Sequence, residues 1–252
     1  MKKNEREKKI LDLLRREGSV TVGQLSNMMH VSAVTIRADL KNLESEGLLL
    51  RTHGGAVISE KNHPAQVSPQ ETGSSEKQCI ARAARQLIQE NTWIFLGSGT
   101  TCLALAEELK DVSVNVMTNN LAVAQILSQS GRGQVIMPGG AVFGGNCPFL
   151  YGDLLHAALD TVVLSQAFLG VSGVDANFGY SVSNAVECSI FARLRQISGE
   201  VIILADTSKF GKTSFMGAGP LSIADAVVTG CGVDDASLQW CREAGVKVIQ
   251  SN

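Results

Sequence analysis

The chain is organised around the stretch Val31-Ser32-Ala33-Val34-Thr35-Ile36-Arg37-Ala38-Asp39-Leu40-Lys41-Asn42-Leu43, closed by Gly47 and followed by Arg51-Thr52-His53-Gly54-Gly55-Ala56-Val57. Ser32 is a good N-cap, because its hydroxyl can accept from the free N–H groups of a first helical turn. The helix it opens is predicted to run to about Glu46, where Gly47 stops it. Ile36, Leu40 and Leu43 share one face at the helical period. The opposite face holds Val34, Ala38 and Lys41, flanked by Thr35, Arg37 and Asn42. A helix that is apolar on one side and carries small residues and cations on the other fits a DNA major groove. The small side chains allow close approach, while the cations meet phosphates or guanine edges.

Upstream, Ile10, Leu13 and Leu14 recur among charged residues, which predicts an amphipathic helix over Glu5 to Arg16. Glu5 stands four before Lys9, the favourable order for a helix ion pair, and Gly18 ends the segment. Thr21-Val22-Gly23-Gln24 has the capping-box spacing, with Thr21 as N-cap and Gln24 reaching back. Leu25, Met28 and Met29 are expected to form the inner face of this short second helix, and His30-Val31 the turn after it. Downstream, Leu48-Leu49-Leu50 runs into a strand–Gly-Gly–strand pattern that makes a small hairpin. Arg51 and His53 on that wing are placed to meet the DNA backbone or minor groove. The candidate DNA contacts are therefore Thr21, Ser32, Val34, Thr35, Arg37, Ala38, Lys41, Arg51 and His53. The same three helices and hairpin could also serve protein docking.

Taken together, Val31-Ser32, Thr35-Ile36-Arg37, Asp39-Leu40, Leu43, Gly47 and Arg51-x-His53-Gly54-Gly55-Ala56 resemble the winged helix-turn-helix of DeoR-type bacterial transcriptional regulators. Where that family carries a second arginine before the aspartate, this chain has Ala38, which removes a cation from the exposed face. One phosphate-binding cation fewer lowers the salt slope of DNA binding by about 0.9.

Residues 59–75 contain Pro64, Pro69, Gly73 and several Ser, Gln and Asn residues, which is the composition of a connector. Glu76-Lys77-x-x-Ile80-Ala81 then opens a helix predicted to reach about Gln89, with Ile80, Ala84 and Leu87 on one face. Beyond it, apolar runs of strand length alternate with helical patterns. Strands are predicted at 93–96, 112–117, 135–137, 167–171, 200–206, 226–229 and 246–249, and helices at 101–110, 121–130, 184–197 and 235–244. Such alternation predicts a Rossmann-like α/β domain with a mostly parallel sheet and helices on both faces. The expected division is a DNA-binding domain over 1–58, a linker over 59–75, and an α/β sensing and oligomerisation domain over 76–252.

Ligands on open α/β sheets sit at the carboxyl ends of the strands, and the polar clusters of the body fall there. Gly97-Ser98-Gly99-Thr100-Thr101 lies between a strand and a helix, where glycines admit an anion and hydroxyls and helix N-terminal N–H groups bind it. It is neither a Walker A motif nor a dinucleotide fingerprint. Thr118-Asn119-Asn120, Pro138-Gly139-Gly140 and Asp206-x-Ser208-Lys209-Phe210-Gly211 end three further strands, and Lys209 is the natural partner of a phosphate charge. Gly144-Gly145-Asn146-Cys147-Pro148 is either a specificity loop or plain loop.

These strings, with Gly170-Val171-Ser172-Gly173-Val174-Asp175 and Glu187, resemble the sensor domain of the same family. The resemblance implies a fold similar to ribose-5-phosphate isomerase and glucosamine-6-phosphate deaminase. The effector-site candidates are Gly97, Ser98, Gly99, Thr100, Thr101, Thr118, Asn119, Asn120, Gly139, Gly140, Asp175, Glu187 and Lys209. The family's first loop reads Asp-x-Gly-Thr-Thr; here Gly97 stands in place of that Asp, which alters the set of groups offered to sugar hydroxyls.

Composition agrees. Up to Lys61 there are eleven Lys/Arg against eight Asp/Glu, a net of +3, and the remainder carries eleven against sixteen, a net of −5. A mildly basic head on an acidic body suits a head that meets phosphates. No apolar run approaches the roughly 20 residues that span a bilayer, and no secretory leader is legible. Six scattered cysteines without a C-x-x-C are expected to be reduced, mostly buried thiols of a cytoplasmic protein. No metal site, cofactor or catalytic residue is expected. The resulting expectation is a repressor-type regulator of carbohydrate-related genes, a homo-oligomer that binds a double-stranded operator and responds to a small phosphorylated sugar. The alternative is a sugar-phosphate isomerase or deaminase with an appended helix-turn-helix, in which Asp175 and Glu187 are acid–base groups and Lys209 the phosphate anchor.

Overall fold

The computed structural model describes residues 6, 7, 9–11, 13, 14, 19–29, 31–45, 49–52, 54–58, 75–144 and 147–251. The chain divides into two compact units, Met1–Gln66 and Val67–Asn252.

In the first unit, residues 6, 7, 9–11, 13 and 14 are helical and bury Ile10, Leu13 and Leu14. Strand β1 (Ser19–Thr21), helix α1 (Val22–Met29), helix α2 (Ala33–Ser45) and strands β2 (Leu49–Thr52) and β3 (Gly55–Ile58) follow. The capping box forms: Thr21 N donates to Gln24 Oε1 at 2.9 Å, and Gln24 N donates to Thr21 Oγ1 at 3.2 Å. Ser32 caps α2, accepting from Thr35 N at 3.2 Å. The inward stripe of α1 is Val22, Leu25 and Met29, which corrects the expectation for Met28, 57% exposed. At ~100° per residue Met28 falls roughly 90° off that stripe and turns outward.

β2 and β3 pair antiparallel with Thr52 opposite Gly55, the predicted wing. β1, absent from the sequence reading, adds a third strand in the order β1-β3-β2. It passes so close that a Cβ on Gly55 would lie 1.9 Å from the carbonyl oxygen of Val20. The wing therefore requires glycine at this position.

In the second unit, α3 (Ser75–Arg85), β4 (Trp93–Leu96), α4 (Thr100–Glu108), β5 (Asn115–Thr118), α5 (Leu121–Ser128) and β6 (Val135–Ile136) lead outward. The hairpin β7 (Ala141–Phe143) and β8 (Phe149–Tyr151) and helix α6 (Asp153–Leu159) come next. Then follow β9 (Leu164–Gly170), β10 (Gly173–Asp175), β11 (Gly179–Val182), α7 (Ala185–Ile197), β12 (Ser198–Ala205), β13 (Met216–Gly219), β14 (Ala226–Gly230), α8 (Asp235–Glu243) and β15 (Lys247–Ser251). Seven strands form one sheet in the order β15-β14-β12-β9-β4-β5-β6, and every neighbouring pair is parallel.

Because side chains alternate across a strand, Ile94, Leu96, Phe168, Ile202 and Leu204 build one apolar layer with α3, α4 and α5. Phe95, Ala167, Leu169, Val201 and Ile203 build the other with α6, α7 and α8. The small elements β7, β8, α6 and the antiparallel sheet β10-β11-β13 were not foreseen. They are three to seven residues long, too short for a period to show.

The chain runs outward from β4 through β5 and β6, then returns to the other side of β4 at β9 and continues through β12, β14 and β15. The direction of winding therefore reverses between β4 and β9, and a crevice opens at such a switch point beyond the carboxyl ends of the strands. Among the described residues no helix is long and apolar enough to cross a membrane. No group of three His, Cys, Asp or Glu among them could hold a metal ion. The cysteines are free, but only Cys102 and Cys241 are buried and Cys231 is exposed, fewer buried than expected. Cys231 follows the last residue of β14, on the solvent side of a strand end.

Candidate functional site

Each unit presents one candidate surface. In the first unit, Val34, Arg37, Ala38 and Lys41 are exposed on the face of α2 opposite the buried Ile36, Leu40 and Leu43. Val34 is 73% exposed. Thr35 and Ser32 stand at the helix start with their hydroxyls 2.9 Å apart. Thr21 uses its hydroxyl in the capping box, donating to Gln24 Oε1 at 2.9 Å. Arg51 lies in β2 with Ala56 as its register partner, and His53 lies outside the described residues.

The residue that fixes α2 in place was not singled out in the sequence. Asp39, 3% exposed, accepts from Arg6 through both oxygens, at 2.5 Å from Nε and 2.9 Å from Nη2. The available signal was its position beside Ile36 and Leu43 on the inward face, because a charge there needs a partner.

In the second unit, the switch-point crevice holds a cavity of about 160 Å³. Its walls are Ser98, Gly99, Thr100 and Thr101 after β4, Gly170, Val171 and Ser172 after β9, Leu204 and Lys209 around the end of β12, and Glu187 of α7. Gly99 takes φ 104° and gives α4 no side-chain cap. The backbone N–H groups of the first turn of α4 are therefore available to an anion. Lys209 Nζ lies 4.0 Å from Asp206 Oδ2, a loose pairing that leaves the ammonium partly exposed.

Glu187 faces this cation-bearing wall from α7. Burial pushes its carboxyl above the ordinary carboxylate value, against hydrogen bonds from Ser183, Asn184 and Ser98 that favour the charged form. The Cys102 thiol beneath the loop is pushed up to about 12 by burial and stays neutral. Near α8 a wider groove of about 470 Å³ has Glu243 as its only charged lining residue, which suits an anion poorly.

The other candidates stand elsewhere. Gly97 is buried beneath the loop, where a Cβ would meet Leu169 Cδ2 at 3.1 Å. Thr118 donates to the carbonyl of Leu96 at 2.6 Å, and Asn120 caps α5 by accepting from Ala122 N and Val123 N. Asn119 donates through Nδ2 to the carbonyl of Leu150 at 3.1 Å, fastening the β7–β8 hairpin to the end of β5. Gly139 and Gly140 precede that hairpin, and a Cβ on Gly140 would lie 2.5 Å from the carbonyl oxygen of Tyr151. Asp175 accepts from Asn177 N and Phe178 N, both at 2.9 Å, and closes the turn into β11. None of these seven lines the cavity. Gly170, Val171, Ser172 and Leu204 also line it; the first three lie in the string that resembles the family's sensor domain, and for Leu204 its place near a strand end was the signal.

Comparison with known proteins bears on both units. Residues 6–62 match the family model described as DeoR-like helix-turn-helix domain, and residues 72–230 match DeoR C terminal sensor domain. The chain is 34% identical over 252 residues to the "Putative aga operon transcriptional repressor" of Escherichia coli O157:H7, covering 98% of this chain and 93% of that protein. It is 35% identical over 240 residues to the "Lactose phosphotransferase system repressor" of Streptococcus mutans, covering 93% and 95%. Ribose 5 phosphate isomerase A of Neisseria gonorrhoeae matches 53% of this chain and 52% of its own, at 16% identity and a TM-score of 0.40, a likeness too partial to bear on function.

Proposed function

Because the chain belongs to the DeoR family of DNA-binding transcriptional regulators, we propose that it represses carbohydrate-related genes and that a small phosphorylated sugar sets its affinity for the operator. The observation that carries this reading is the switch-point cavity, where an uncapped helix N-terminus, the Ser98, Thr100 and Thr101 side chains and Lys209 converge. The phosphate occupies the Gly99–Thr101 end beside Lys209, and Glu187 accepts from or donates to a sugar hydroxyl. The exposed face of α2 enters the major groove, with Arg37 and Lys41 supplying the cations and Val34 and Ala38 the close apolar approach. The relative named as a lactose phosphotransferase system repressor supports the choice of genes.

Two heads reading two half-sites require at least two copies of the chain. The stretch from Gly133 to Gly152 contains no charged residue and exposes Ile136, Met137, Val142 and Phe143. A charge-free surface can meet its own copy across a two-fold axis without opposing like charges, and we assign the homo-oligomer contact to it. The regulator acts in the cytoplasm, where the operator is.

The test is binding of the purified chain to DNA upstream of its own and neighbouring genes, at stated salt, with and without a panel of sugar phosphates. Specific binding that one phosphate alters supports the proposal, and Arg37→Ala should then lose DNA while keeping the effector. Absence of specific DNA binding under every condition would sink it. The enzyme reading predicts turnover of a sugar phosphate, whereas this proposal expects none. Asp175, one of its acid–base candidates, is engaged in a turn and away from the cavity.

A further inference from the structure

The turn that carries Lys209 is held from two sides. Asp206, 5% exposed, caps it by accepting from the backbone N–H of Ser208 at 3.0 Å and from the Ser208 hydroxyl. From the other side comes Glu76, 131 residues away in sequence: its Oε1 accepts from Thr207 N at 2.7 Å and from Thr207 Oγ1 at 2.5 Å. The carboxylate fits because residue 230 is glycine, since a Cβ there would lie 2.1 Å from Glu76 Oε1.

Glu76 stands in the first turn of α3, and that helix packs through Ile80, Ala81 and Ala84 into the same apolar layer as Cys102 and Leu103 of α4. One helix thus bears on two walls of the cavity: the Thr207–Lys209 turn through Glu76, and α4 through its apolar face. It is also the first described element after the DNA-reading unit.

We propose that Glu76 is the positioning residue that ties occupancy of the cavity to the placement of α3, and through α3 to the chain that leads back to the DNA-reading unit. The proposal rests on the effector reading above. An anion that draws Lys209 inward rotates the short turn, and the two bonds from Thr207 pass that rotation to the first turn of α3. A ligand shifts an equilibrium only through contacts that differ between the two states. Here those contacts are the bonds of Lys209 and the α4 N–H groups to the anion. Rigid attachment of Glu76 gives them a mechanical outlet, whereas a carboxylate that merely stapled α3 to the sheet would not respond to the ligand.

Amide hydrogen exchange on the full chain, with and without inorganic phosphate, separates these roles. In the wild type, phosphate should slow exchange both at residues 98–103 and at residues 75–85. Glu76→Ala should keep the slowing at 98–103, with phosphate affinity changed less than about tenfold, and lose it at 75–85. Glu76→Gln, whose amide oxygen still accepts both bonds, should retain the wild-type response. Gly230→Ala should repeat the Glu76→Ala result by displacing the carboxylate, and it carries the test if Glu76→Ala does not fold. Undiminished phosphate-dependent slowing at 75–85 in Glu76→Ala or in Gly230→Ala overturns the proposal. If phosphate slows nothing at 98–103 in the wild type, the effector reading itself fails and this inference fails with it.

Discussion

Replacing Asp39 with alanine is expected to unfold the DNA-reading unit while sparing the second unit. The bidentate pair to Arg6 is nearly dry, with Asp39 3% and Arg6 9% exposed. Removing one partner of a buried ion pair costs about 3–5 kcal/mol, because the other charge loses its bidentate acceptor. Arg6 already keeps a sliver of solvent exposure, so its guanidinium can reach water with little movement. The lower end, about 3 kcal/mol, is therefore the figure to use.

A unit of this size has only about 3–9 kcal/mol of stability at ~0.05–0.15 kcal/mol per residue. The substitution therefore removes a third or more of it, and at the low end all of it. At roughly 4–8 °C per kcal/mol for a small domain, the unit's melting point should fall by about 12–24 °C. Differential scanning calorimetry of the full chain reads this as a downward shift of one transition with the other in place. Operator binding should be lost at temperatures where phosphate binding is intact. A shift below about 3 °C with wild-type operator affinity would refute the argument that this pair anchors α2.

Four other perturbations have outcomes set by the geometry. Lys209→Ala should weaken phosphate binding about 10- to 150-fold, the equivalent of a charged hydrogen bond worth about 1.5–3 kcal/mol; an unchanged isotherm places the anion elsewhere. Glu187 has its native carboxyl raised above the ordinary value of 4.5 by burial. Its contribution to stability is therefore complete below 4.5 and declines as pH rises through the raised value. Binding of sulfate, which keeps its charge across this range, should weaken over the same window as Glu187 ionises, and Glu187→Gln should flatten the profile. Lys41→Ala, at an exposed position, should leave melting unchanged and reduce the salt slope of operator binding by about 0.9 if the lysine meets a phosphate. Gly55→Ala should destabilise the wing, because its Cβ would overlap the Val20 carbonyl at 1.9 Å; urea unfolding of the first unit measures the effect.

Sequence alone determined what local chemistry controls. The capping box at Thr21 and Gln24, the cap at Ser32, the two faces of α2, the hairpin at Gly54-Gly55 and the alternation of strands and helices after residue 93 all follow from periods and side-chain-to-backbone bonds within a few residues. The family resemblance was legible for the same reason, since its diagnostic residues are short strings at strand and helix ends. Six of the candidate effector residues meet at one cavity: Ser98, Gly99, Thr100, Thr101, Glu187 and Lys209.

Tertiary structure decided the rest. Only the strand order brings the loop after β4, the loop after β9 and the turn after β12 to one point, because winding reverses between β4 and β9. Thr118, Asn119, Asn120 and Asp175 look like ligand groups in a sequence, yet Thr118 Oγ1, Asn119 Nδ2, Asn120 Oδ1 and Asp175 Oδ1 bond the backbone that surrounds them. Arg6–Asp39 and Glu76–Thr207 join residues 33 and 131 positions apart. No local pattern encodes such pairs. A buried charge announces that it needs a partner, but which partner it finds depends on how the whole chain closes around it.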